Sequence, residues 1–146
     1  MPGSPPGESV DLLDRSAASL RCASQCGDAA QRYVEAHLGA LRAAAAVVAA
    51  RSVPSRRSRP RSVWQVLTEV APELTEWAAF FAASGRRRAA LERGAAISGA
   101  READDLLRQA EVFLGIVADV LGAPRRDAVA AYLIPIGVGA AGGGRG

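Results

Sequence analysis

The stretch READDLLRQAEVFLGIVADVL, residues 101–121 (Arg101 to Leu121), decides the fold class. Its apolar positions Ala103, Leu106, Leu107, Ala110, Phe113, Leu114, Val117, Val120 and Leu121 recur at steps of three and four, the period of one helix face. Ser98 offers a start, and Gly122 with Pro124 a stop. Arg101 with Asp105, and Asp104 with Arg108, stand four apart and read as ion pairs on the outer face.

The same period extends upstream. Ser9 reads as the cap of a first helix with Leu12, Leu13, Ala17 and Leu20 on one face, broken by Gly27. Asp28 caps a longer helix to about Arg51, whose apolar stripe is Tyr33, Leu41, Ala44, Val47 and Val48, with His37 inside that stripe. The segment SVPSRRSRPRS, residues 52–62, holds two prolines and stops any helix. Ser62 caps VWQVLTEV; Pro72 suits the first position of a following helix and disfavours α geometry at Ala71. Trp64, Leu67, Leu74, Trp77, Phe80 and Phe81 supply most of the aromatic mass, so the core is expected to be densest there. Gly85 introduces RRRAALERGAAISG, which reads as a short helix and a loop.

Composition agrees. At 146 residues the chain has room for one ordinary core, and its hydrophobic 49% is dominated by alanine, the best helix former, with aromatics at only 5%. The expectation is an all-α bundle of four to five helices over residues 9–122. A Pro/Gly/Ser-rich leader, residues 1–8, precedes it, and a low-complexity, glycine-rich tail, residues 123–146, follows. Within that tail Tyr132 to Val138 are expected to dock on the bundle.

The cations have one identity: all 18 are arginine, and there is no lysine. A GC-rich genome accounts for both the arginine and the alanine, so this bias says little about partners. Cys22 and Cys26 read as reduced, helix-packed thiols, because a metal site needs more ligands than two cysteines and the lone His37 provide. No metal and no cofactor are expected. Glu69, Glu73 and Glu76 share a face but lack a histidine partner, GAAGGGRG lacks the Lys-Ser/Thr of a phosphate loop, and no Gly-x-Ser-x-Gly elbow occurs. Apolar stretches read as too short, or too punctuated by Gly and Pro, to cross a bilayer, and the N-terminus lacks the pattern of a signal peptide. The expected location is cytoplasmic, without membrane contact.

The segment AAQRYVEAHLGALRAAAAVVAARS, the basic proline-containing loop, the Trp/Phe-bearing middle and the closing SGAREADDLLRQAEVFLGIVADVLG together resemble, in order, the HEPN superfamily (higher eukaryotes and prokaryotes nucleotide-binding). The chain looks most like the small actinobacterial SAV-type subfamily, over about residues 10–122. That resemblance implies a helical bundle, commonly a homodimer, in a superfamily linked to RNA and nucleotide handling. Its active members are metal-independent ribonucleases with an Arg-x4-6-His motif, two copies of which meet across the dimer. Arg32 and His37 have the permitted spacing; Tyr33 stands where the motif usually carries a polar residue.

Metal-free RNA cleavage needs a base for the 2′-OH, an acid for the leaving oxygen and a cation for the phosphorane charge. One histidine and one arginine per protomer, doubled by symmetry, supply that set. Against it, five helical steps set Arg32 and His37 roughly 140° apart around the axis. An ordinary alternative also exists: His37 packs in the core, and Arg32 pairs with Glu35 on the surface. Arg51, Arg56, Arg57, Arg59 and Arg61 form a candidate nucleic-acid-binding loop. Two functions follow: a non-catalytic module that binds RNA, a nucleotide or a protein partner, or a metal-independent endoribonuclease using Arg32 and His37.

Overall fold

The computed structural model describes residues 7–51 and 61–126. They form five helices and, among the described residues, no strand: α1 (Gly7–Gln25), α2 (Ala29–Arg51), α3 (Val63–Val70), α4 (Thr75–Glu92) and α5 (Ala100–Val120), with a 3-10 turn, Pro72–Leu74, between α3 and α4. The all-α expectation holds. Helix α2 packs against each of the other four and is the hub of the bundle. It is the one helix among the described residues long and apolar enough to cross a bilayer, contrary to the sequence reading of every apolar stretch as too short or broken. Just over half of that apolar window is buried by the other helices.

Helix α1 lies against α2 along a seam of small residues. Ala43 and Ala46 share the Gly39 face of α2 and are fully buried, so no bulky side chain holds the two backbones apart. At Gly39 an added Cβ would fall 2.8 Å from Leu20 Cγ and 3.4 Å from the Ser16 carbonyl oxygen. Three α1 serines are buried in this seam, and each finds a partner on α2. Ser9 Oγ donates to the Ala46 carbonyl at 2.8 Å, Ser16 Oγ donates to the Gly39 carbonyl at 2.7 Å, and Ser19 Oγ accepts from Arg42 Nη1 at 2.6 Å. Ser9 is therefore not the cap it was expected to be. The helix already begins at Gly7, and the hydroxyl is spent across the seam rather than on its own first turn.

The other boundaries follow local chemistry. Asp28 caps α2, its carboxylate accepting the Gln31 amide at 2.8 Å. Ser62 caps α3 in a full capping box with Gln65. Gly94 and Gly122, at φ +73° and +67°, end α4 and α5 in the left-handed region that a side chain disfavours. Helix α4 runs to Glu92, so the arginine run at 86–88 is part of it and not a separate short helix. Gly85 does not break the helix; it lies within it. The start of α5 is likewise displaced: Gly99, not Ser98, is the N-cap, and the Ser98 hydroxyl donates to Glu102 Oε1 at 3.1 Å.

The aromatic core forms where α3, α4 and α5 meet. Phe81 stacks on Trp64 at 5.5 Å between centroids and meets Phe113 at 5.1 Å, and Trp77 closes the group at 5.5 Å from Phe113. Truncating a ring such as Phe81 or Phe113, both fully buried, costs about 3–5 kcal/mol. Phe80 departs from expectation: it is 44% exposed, because its neighbour Phe81 takes the inward position on α4.

The seam makes a direct prediction. Gly39→Ala gains helix propensity but drives its methyl into a fully buried Leu20, for a net loss of about 1–2 kcal/mol. Urea unfolding should show that loss in the wild-type background and no comparable loss when Leu20→Ala supplies the space.

Candidate functional site

His37 sits in the third turn of α2, facing α3 and α4. It is only 2% exposed. Its Nδ1 lies 2.8 Å from Ser84 Oγ, and Ser84 in turn donates to the Phe81 carbonyl at 3.0 Å. A serine hydroxyl has one proton to give, so His37 donates from Nδ1–H and carries its lone pair on Nε2. Trp64 stands edge-on to the ring at 6.0 Å. On the α4 side the ring presses against Gly85, where an added Cβ would lie 3.2 Å from Cε1 and 3.4 Å from Nε2. The glycine that looked like a helix stop is thus the recess that admits the imidazole.

This environment fixes the charge of the ring. Burial, helped by the Arg88 guanidinium, holds the imidazole pKa down at about 4, so it is neutral at physiological pH. An acid that must protonate a leaving oxygen near neutrality is poorly served by such a group.

Arg32 is committed elsewhere. Its Nε and Nη2 donate to the Cys26 carbonyl at 3.1 and 2.8 Å, and its Nη1 pairs with Asp104 of α5 at 2.7 Å. It staples the turn between α1 and α2 onto α5. The expected pair with Glu35 does not form; Glu35 accepts from Gln31 Nε2 at 3.3 Å instead. Nor do the expected pairs along α5: Asp104 is taken by Arg32, while Asp105 pairs with Arg108 one turn away. Arg32 and His37 therefore contact different elements, about 7.5 Å apart along α2 and on different sides of it.

The basic loop is described only at its two ends. Arg51 pairs with Glu73 at 2.9 Å and donates to the Val70 carbonyl at 3.1 Å; Arg61 pairs with Glu69. The Glu73 carboxyl is held below its usual range by its own backbone amide and by Arg51. These two arginines, one on either side of residues 52–60, bond to α3 and the turn after it. Arg56, Arg57 and Arg59 lie outside the described residues. Cys22 is exposed rather than helix-packed, and Cys26 is half-buried beyond the end of α1; neither forms a disulfide, and no cluster of metal-ligating side chains occurs among the described residues.

Sequence reasoning missed one concavity. A groove of about 740 Å³ opens between α2, α4 and α5, floored by Tyr33 and Leu106 and walled by Phe80, Arg101, Arg108 and Gln109. Its signal was the outward position of Phe80, which the helical period disguised as core. Arg87 holds Glu102 on the same rim through Nε at 2.8 Å and Nη2 at 2.9 Å, and that bond keeps the carboxyl below its ordinary range. Burial, and then the nearby Glu102, raise the pKa of the Tyr33 hydroxyl.

A family model, SAV_6107-like HEPN, matches residues 23–118. The chain belongs to the HEPN superfamily. The matched span of this HEPN protein runs from the last turn of α1 nearly to the end of α5, so α1 lies mostly outside it. Comparison with curated proteins and with solved structures finds no match.

The buried His37 has a measurable consequence for HEPN stability. The unfolded chain protonates its histidine near 6.5 while the folded chain resists protonation to about 4, so the unfolded state binds more protons throughout that window. Stability should fall as the pH drops through it, by on the order of 3 kcal/mol in total. Urea midpoints at pH 7 and pH 4.5 should differ more for the wild type than for His37→Gln, which keeps a donor toward Ser84 and removes the titration.

Proposed function

We propose that this HEPN protein is a non-catalytic binding module that contacts RNA or a nucleotide through its arginine-rich segment, Arg51 to Arg61. The observation that carries the reading is the burial of His37 as a neutral ring inside the protomer, with its proton spent on Ser84. Its partner in the superfamily's motif, Arg32, gives its donors to Cys26 and Asp104. A scaffold that spends both groups on its own packing keeps the bundle and gives up the acid and the cation of the reaction.

What supports binding is the segment itself. Arg56, Arg57 and Arg59 stand between two ends, Arg51 and Arg61, each tied down by a glutamate. Guanidinium groups suit phosphate oxygens through their planar fork. A homodimer would present two such segments to one ligand and multiply a weak single contact.

The test is a mixed, labelled RNA incubated with protein in EDTA. The expected result is retention without cleavage, weakening steeply between about 50 and 200 mM salt. Retention should be about tenfold weaker for the combined Arg56→Ala, Arg57→Ala and Arg59→Ala variant. Cleavage by the wild type, lost in His37→Ala at matched helicity, would make the protein a metal-independent endoribonuclease instead. Neither retention nor cleavage would leave a protein partner as the ligand.

A further inference from the structure

The groove between α2, α4 and α5 contains a polar group that the fold leaves without a partner. Tyr33 lines the groove from α2 and is only 5% exposed. A buried phenol ordinarily finds a hydrogen-bond partner. Among the described residues the Tyr33 hydroxyl has none. Glu102 lies near enough to raise its pKa, yet that carboxylate gives its oxygens to Arg87 Nε, Arg87 Nη2 and Ser98 Oγ. The phenol therefore keeps its proton and offers an unused donor to the groove.

The charges around it do not cancel. Of the charged side chains that line the groove, Glu102 is paired with Arg87 and Asp105 with Arg108. Arg101, which the sequence reading paired with Asp105, has no ion-pair or hydrogen-bond partner among the described residues. One guanidinium is thus left uncommitted at the start of α5. Eight residues along the same helix, about 12 Å away, stands the Gln109 amide. Opposite, on α4, Phe80 is held edge-on by Phe81 at 4.9 Å and 79°, with much of its ring open to solvent.

We propose that this groove binds a small aromatic carboxylate, a planar two-ring acid whose rings lie against Phe80 and whose carboxylate is taken by the Arg101 guanidinium and the Tyr33 hydroxyl. Size agrees: about 740 Å³ falls within the range of small-molecule sites. Charge selects the head group. A carboxylate matches one free guanidinium through its planar fork, and its second lone pairs satisfy the phenol. A phosphate dianion would bring an additional negative charge against Glu102 and Asp105, both already balanced. The exposed ring selects the body, since an aromatic face stacks on Phe80 where an aliphatic acid would only cover it. The site is separate from the arginine-rich segment and does not rest on RNA binding.

Titration of the full-length, isotope-labelled chain with 2-naphthoate, followed by NMR, tests this. The expected result is saturable shifts at the amides of Tyr33, Phe80 and residues 101–109, with a Kd on the order of 0.1–1 mM. Tyr33→Phe, which removes only the hydroxyl, and Arg101→Gln should each weaken binding about five- to tenfold. Phe80→Ala, at an exposed position, should weaken it about fivefold. The uncharged 2-naphthamide should bind about tenfold more weakly than the acid. The combined Arg56→Ala, Arg57→Ala and Arg59→Ala variant should bind 2-naphthoate like the wild type, which separates this site from the RNA reading. No saturable shift up to about 10 mM, or shifts centred elsewhere in the bundle, overturns the proposal. So does an affinity unchanged by Arg101→Gln or Phe80→Ala, or tighter binding of adenosine monophosphate than of 2-naphthoate.

Discussion

The register of α1 against α2 is fixed by two buried hydroxyls that both bond across the seam. Ser9 and Ser16 stand seven residues apart on α1, and their acceptors, the carbonyls of Ala46 and Gly39, stand seven apart on α2 in the opposite sense. A slip of one turn would break both bonds, each worth about 0.5–1.5 kcal/mol, and turn the hydroxyls back on carbonyls of their own helix, as Ser24 does at Arg21. Gly39 enforces the same alignment sterically, since only there does α2 leave room for Leu20. Everything that touches the other faces of α2 inherits this placement: His37 toward α4, Arg32 toward α5, Arg51 toward the turn after α3.

The two halves of the bundle consequently hold together by different means. Along α1–α2 the residues are small, so close backbone approach and serine bonds to carbonyls replace bulky packing. Among α3, α4 and α5 the core is aromatic, with Trp64, Trp77, Phe81 and Phe113 in mutual contact. His37 belongs to both. It projects from the small-residue helix into the aromatic half, where burial and the bond to Ser84 keep the ring neutral.

How much of this was legible depends on how local the signal is. The periodicity of residues 101–121, and the caps at Asp28 and Ser62, are written in neighbouring residues, and the structure bears them out. Gly85 and Ser9 were misread for the opposite reason: a glycine that makes room for His37, and a serine that reaches Ala46, act across the fold at separations of dozens of residues. The same holds at the candidate site. The Arg-x4-His spacing is visible in a line of text. That Asp104, 72 residues away, takes the arginine, and that Ser84 takes the histidine, depends on how the helices pack. Phe80 and Phe81 are adjacent and chemically identical, and only the phase of α4 sorts one outward and one inward.

Every ion pair among the described residues has an arginine as its cation. The staple at Arg32, the anchors at Arg51 and Arg61 and the grip of Arg125 on Asp119 thus all use the planar guanidinium fork, which can reach two acceptors at once where an ammonium is a single point charge. The same choice removes every ε-amine from the sequence. Acetyl transfer, ubiquitin-type conjugation and Schiff-base formation, the usual covalent handles on a basic side chain, have no lysine here to act upon. Control over this bundle by side-chain amine chemistry is closed off by composition, which leaves non-covalent occupancy and the chemistry of guanidinium, thiol and hydroxyl groups as the routes open to it.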